Sequence, residues 1–91
     1  MGEYTIKDVI RLNKRAGFHF FDKDTMEFWN SNVESELINN LFVTSEDNFD
    51  HTKKLYTVRE FDPETYKVGT VGDFQAFEKL EDAMSYIYEN C

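Results

Sequence analysis

The segment LYTVREFDPETYKVGTVG (residues 55–72) decides how the rest of the chain is read. Its first seven residues alternate large apolar or aromatic side chains with Thr, Arg and Glu, the period of a strand. DPET (62–65) places proline at the second position of a turn, where its fixed φ fits. YKVGTVG (66–72) returns as the partner strand, and DFQAF (73–77) prolongs it past a glycine bulge or bend. The unit is a β-hairpin, and its alternation puts Leu55 on the face opposite Tyr56 and Val58.

Working outward, LFVTS (41–45) reads as another strand and EDNFDHTKK (46–54) as a polar loop. NSNVESELINN (30–40) is open between a loop and an extended strand end anchored by Val33, Leu37 and Ile38. FHFFDKDTMEFW (18–29) packs rings on both sides of DKDT, a turn composition, and reads as a second hairpin. Its strands, 18–21 and 26–29, would carry Phe18, Phe20, Met26 and Phe28 opposite Phe21 and Trp29.

Both ends read as helices. TIKD (5–8) resembles a capping box, with Thr5 as cap and Asp8 in the acidic position. Ile6, Val9, Ile10 and Ala16 form one stripe, the basic residues lie largely outside it, and Gly17 stops the helix. At the other end Leu80, Ala83, Met84, Ile87 and Cys91 recur at helical spacing behind Glu81 and Asp82. The expected architecture is α+β: an antiparallel β-sheet of four to five strands flanked by an N-terminal and a C-terminal helix (α-β-β-β-β-β-α), forming one domain over 1–91. Two helices are expected on one sheet face. The other face, also apolar, then needs a loop, a second copy or a partner to cover it.

Charge narrows the function classes. The chain has 91 residues and a net charge of −8. Residues 1–17 hold four basic and two acidic side chains, and the remainder six and sixteen. Between 22 and 50 eight acids face Lys23 alone. Such a field repels nucleic acid and anionic membrane and attracts basic surfaces. No apolar run approaches the ~20 residues of a membrane span. A lone cysteine and a start without an apolar segment lead to the expectation of a cytoplasmic protein.

Catalytic and cofactor motifs fail one by one. DKD (22–24) opens like a calcium loop, but Glu27 stands where glycine is needed and Val33 where glutamate is needed. VGTVGD lacks the spacing of a dinucleotide-binding loop. His19, His51 and Cys91 are too dispersed for a metal site. No serine sits in a nucleophile elbow, and no carboxylate pair stands out for acid–base work. The expectation is a protein that is not an enzyme, takes no cofactor and works by its surface.

HFFDKDTMEFWNS (19–31), LYTVREFDPET (55–65) and GDFQAFEKLEDA (72–83) together resemble a family of small uncharacterised proteins of phages, prophages and mobile elements, over roughly residues 6–88. The resemblance implies an accessory role, often inhibition of host machinery or defence, and implies no catalytic residues. The family pattern is expected to be more basic, for example at the position of Glu27, so the acidity belongs to this chain. The expected function is therefore binding and inhibition of a nucleic-acid-handling host defence system, of the anti-CRISPR or anti-restriction type. The partner would be a host protein with a basic surface, met by Asp22, Asp24, Glu27, Glu34, Glu36, Glu46, Asp47 and Asp50, with Trp29 as anchor. Two other readings stand beside it. One is a small-molecule binder, for a signalling nucleotide, with Arg59 and the first helix supplying positive charge. The other is a homodimer built on the uncovered sheet face.

Overall fold

Strand alternation is strongest over residues 54–61, and the computed structural model, which describes residues 4–89, builds its sheet around that segment. The elements follow as α1 (Ile6–Arg15), α2 (Lys23–Phe28), β1 (Asn32–Val33), β2 (Leu41–Asp47), β3 (Lys54–Phe61), β4 (Val68–Thr70) and α3 (Leu80–Glu89). The strands form one antiparallel sheet in the order β1-β2-β3-β4. β2 and β3 pair over their greater length, with Val43 opposite Val58 and Phe42 opposite Arg59. The α+β layout is as expected, with four strands rather than five.

Both strands of the hairpin expected at 18–29 are absent, and the short β1 adds one strand in the following segment. Residues 18–29 form a turn and then α2, which no strand pairs with. Successive rings Phe20 and Phe21 pack against the same side of the sheet, which strand alternation does not allow, while Phe28 stays exposed. The chain reaches the sheet only at β1, where Asn32 pairs Ser45 and Val33 pairs Thr44. The segment 30–40 then resolves into a tight turn. Ile38 and Leu41 exchange both backbone hydrogen bonds at 2.8 and 2.9 Å. Asn39 and Asn40 adopt φ of +49° and +67° between them. Both central residues of such a two-residue hairpin need positive φ, and asparagine tolerates it best after glycine.

β2 also runs further than expected, taking Glu46 and Asp47 out of the polar loop and into the sheet. The chain bends at Gly72 and Gln75, with φ of +74° and +58°, and DFQAF (73–77) pairs its backbone with β3 at the Phe77–Tyr56 bridge.

α1 carries the expected capping box: Asp8 N–H donates to Thr5 Oγ1, and Thr5 N–H donates to Asp8 Oδ2. Its buried face differs from the expected stripe. Val9 and Asn13 are buried and Leu12 packs beside them, while Ile10 and Ala16 are exposed. Asn13 turns inward because its Nδ2 donates to the Tyr66 carbonyl at 2.8 Å, tying α1 to the turn before β4. In α3, Ala83 and Ile87 are buried as expected; Cys91 lies outside the described residues.

The two terminal helices cover opposite faces of the sheet, not one. α3 packs with Leu41, Val43 and Val58, whereas Val9 of α1 packs with Phe42 and Phe61. Register explains this. Positions 41, 43, 56 and 58 share one face, and 42, 44, 46, 57, 59 and 61 share the other. Each buried Phe stabilises by roughly 1.5–3 kcal/mol. The face expected to need an outside cover is thus closed by the chain's own α1, at the Phe42 and Phe61 end. At its other end it carries Thr44, Glu46, Thr57 and Arg59, and that end builds the site.

Candidate functional site

Glu46 and Arg59 point into the sheet face that a simple alternation would fill with apolar groups. Glu46 is 2% exposed and Arg59 is 9% exposed. Two buried charges are tolerated only when paired and hydrogen-bonded. Here they are: Arg59 Nη2 donates to Glu46 Oε2 at 3.3 Å and Nε donates to Thr44 Oγ1 at 3.0 Å, while Nη1 donates to the Thr70 hydroxyl of β4. Glu46 accepts in addition from the hydroxyls of Thr44 and Thr57. Thr57 Oγ1 in turn accepts from the backbone N–H of Gln75 at 2.8 Å. One network therefore joins β2, β3, β4 and the bend after β4.

Aromatic rings close over it. The Arg59 guanidinium lies 5.1 Å from the Phe20 ring centroid and 5.4 Å from that of Phe74, within cation–π range. Trp29, at the end of α2, meets Phe74 edge-on at 6.3 Å. Between these rings, Met26, Thr25 and Ser31 on one side and Thr44, Glu46 and Arg59 on the other, lies a pocket of about 110 Å³. α2 acts as its lid: the half-buried Met26 and Trp29 and the exposed Thr25 line the pocket, and Asp24, Glu27 and Phe28 are exposed.

The lid is pinned at Asp47. Asp47 N–H donates to the Trp29 carbonyl at 2.8 Å, and the Asp47 carbonyl accepts from Gln75 Nε2 at 2.8 Å. The end of α2, the end of β2 and the bend at 73–75 thus meet. Large rings stay in water nearby: Phe28 is 71% exposed and Phe74 is 46% exposed. Phe49, in the connection between β2 and β3, is 90% exposed.

The acids expected to bind a partner divide into three groups. Asp24 and Glu27 stand exposed on α2, and Asp22 occupies its N-cap position without a side-chain capping bond, its carboxyl lying instead 2.7 Å from His19 Nδ1. Asp47 and Asp50 flank Phe49. Asp47 lies 3.1 Å from His51 Nδ1, and the Thr52 hydroxyl, donating to Asp50, holds the Asp50 carboxyl below the usual aspartate range. The remaining three are placed otherwise. Glu46 is buried in the ion pair, which corrects its expected place on the surface. Glu34 is half-buried and accepts from the Ser45 hydroxyl at 2.7 Å. Glu36 is exposed beside Tyr4, Thr5, Ile6 and Lys7 of the N-terminal segment.

The sequence matches the model of a family of unknown function (DUF7447) over residues 5–87. The chain belongs to this family. No curated protein and no solved structure matches it. The DUF7447 region runs from the Thr5 cap to Ile87 and so contains the whole sheet, the lid and the pocket.

Reading strand by strand missed the pocket because its members come from five segments. Phe20, Ser31, Thr44, Arg59 and Phe74 are far apart in the chain. One signal was present: Glu46 shares strand parity with Phe42, and Arg59 with Phe61. A charge on each of two neighbouring strands, at positions where the pattern demands apolar groups, points to a buried pair. Among the described residues no group of three His, Cys, Asp or Glu is placed to hold a metal ion. No helix among them is long and apolar enough to cross a membrane.

Proposed function

We propose that this protein is a non-enzymatic recognition protein that binds a basic surface of a nucleic-acid-handling partner and blocks it. The contact would be made by the lid α2, the connection between β2 and β3, and the bend at 73–75. The observation that carries this reading is the exposure of Phe28 and Phe74 beside Trp29, with Glu27 and Asp73 next to them in the chain and Asp24 four residues before Phe28. Exposed rings bordered by carboxylates suit a partner that supplies cations to the rim and apolar or cationic groups to the centre. The net charge of −8 supports a partner whose own ligand is polyanionic. The likeness to phage and mobile-element proteins supports a defence system as the target class, an anti-CRISPR or anti-restriction role.

The test is capture of host proteins by the purified chain at low and high salt, compared with a variant carrying Asp24→Lys, Glu27→Lys and Asp50→Lys. All three positions are exposed, so the fold should survive. A nucleic-acid-binding protein retained at low salt, released at high salt and lost with the variant is the expected result. Equal capture by both proteins would overturn the reading.

A further inference from the structure

We propose that the pocket between Arg59, Glu46 and Trp29 is a binding site for a single uncharged carboxamide group. Three observations lead there, none of which depends on the acidic face binding a partner.

Size sets the first limit. About 110 Å³ is less than the ~150 Å³ cavity that takes up benzene. A nucleotide does not enter; one small planar group does. Three aromatic residues, Phe20, Trp29 and Phe74, line it, and a planar group packs well among rings.

Charge sets the second. The pocket already holds one guanidinium and one carboxylate, so it is neutral as built. An entering cation meets Arg59, and an entering anion meets Glu46 with the acidic lid outside. Either would be desolvated without a free counter-charge.

Hydrogen-bonding capacity sets the third. A guanidinium has five N–H groups and Arg59 uses three of them within the protein, leaving two. Glu46 Oε1 accepts only from Thr57, and a carboxylate oxygen has room for a second donor. The hydroxyls of Thr25 and Ser31 have no hydrogen-bond partner among the described residues and can serve either role. The complement is a neutral group with a carbonyl to accept from Arg59 and an N–H to donate to Glu46. A carboxamide has both; a carboxylate and an ammonium each lack one. The group can come from an Asn or Gln side chain of a partner, or from a free small amide.

The experiment is an NMR titration of the whole chain with propionamide, propionate and propylammonium, following the Trp29 indole N–H and the Arg59 Nε–H. Trp29 is the single tryptophan, so its signal is unambiguous. Propionamide should give saturable shifts at both groups, with affinity at least about tenfold above either ion. Ser31→Ala should weaken propionamide severalfold. The Asp24→Lys, Glu27→Lys, Asp50→Lys variant should bind it as the natural chain does, which separates failure of this site from failure of the acidic face. N-acetylglutamine methylamide against acetamide distinguishes the sources: tighter binding of the first points to a partner side chain, of the second to a free ligand. Absence of saturable shifts with propionamide, or equal binding of either ion, overturns the proposal.

Discussion

Glu46 and Arg59 are both buried on a sheet face whose other end is apolar, and neither is tolerable without the other. Removing one partner of a buried pair leaves a charge without compensation, at a cost of about 3–5 kcal/mol. Glu46→Gln should therefore lower the urea midpoint far more than a surface change, which usually stays within about 0.5 kcal/mol. Replacing both, as Glu46→Leu with Arg59→Met, should recover part of that loss. The remainder belongs to the hydroxyls of Thr44, Thr57 and Thr70, which lose their charged partner. If Glu46→Gln alone proves as mild as a surface substitution, the pair is not what holds this end of the sheet.

Caps and turns lean on exposed carboxylates, and pH should reveal it. Among the described residues, four carboxyls are held below their ordinary values of 3.8 for aspartate and 4.5 for glutamate. The Thr5 backbone N–H lowers Asp8 in the α1 cap, and the Thr52 hydroxyl lowers Asp50 between β2 and β3. The Glu64 backbone N–H lowers Asp62 in the turn after β3, and the Lys53 ammonium lowers Glu78 ahead of α3. A lowered folded value means that, in acid, the unfolded chain binds protons first. Stability from these groups is complete above the ordinary values and is lost as pH falls through the lowered ones. Denaturant midpoints should decline from about pH 5 downward. Asp8→Asn should make that decline shallower, because one of the four groups no longer titrates. A midpoint unchanged in acid would show that these hydrogen bonds contribute nothing to the caps and turns.

Across the molecule, rings have divided between holding the fold and facing water. Phe42 is fully buried under α1, and truncation to alanine should cost about 3–5 kcal/mol. Phe28 and Phe49 stand in solvent, so Phe28→Ala and Phe49→Ala should leave the denaturant midpoint nearly unchanged. Under the proposed function the Phe28 change weakens partner capture instead. Thermal or urea unfolding of the three variants, run beside the capture assay, checks both halves. A Phe28→Ala protein that captures as before would remove the aromatic centre from the proposed contact.

What the sequence determined by itself are the elements whose cause is local. The Thr5–Asp8 cap, the 55–61 strand, the turn at Pro63 and the α3 stripe each depend on neighbours within a few residues, and each is found where its signal lies. What only the tertiary structure decided is everything that needed a partner distant in the chain. DKDT and its flanking rings carry turn chemistry that suits a hairpin, but the rings at 20, 21 and 29 find their places on the sheet only through α2. Asn13 faces the interior because the Tyr66 carbonyl waits there, fifty-three residues away. Glu46 became buried, not a surface acid, because strand pairing put it on the same sheet face as Arg59, whose guanidinium reaches it, in the pocket that Trp29 and Phe74 also line. A charged side chain's place depends on which counter-charge the fold delivers, and that delivery is a long-range event no local window contains.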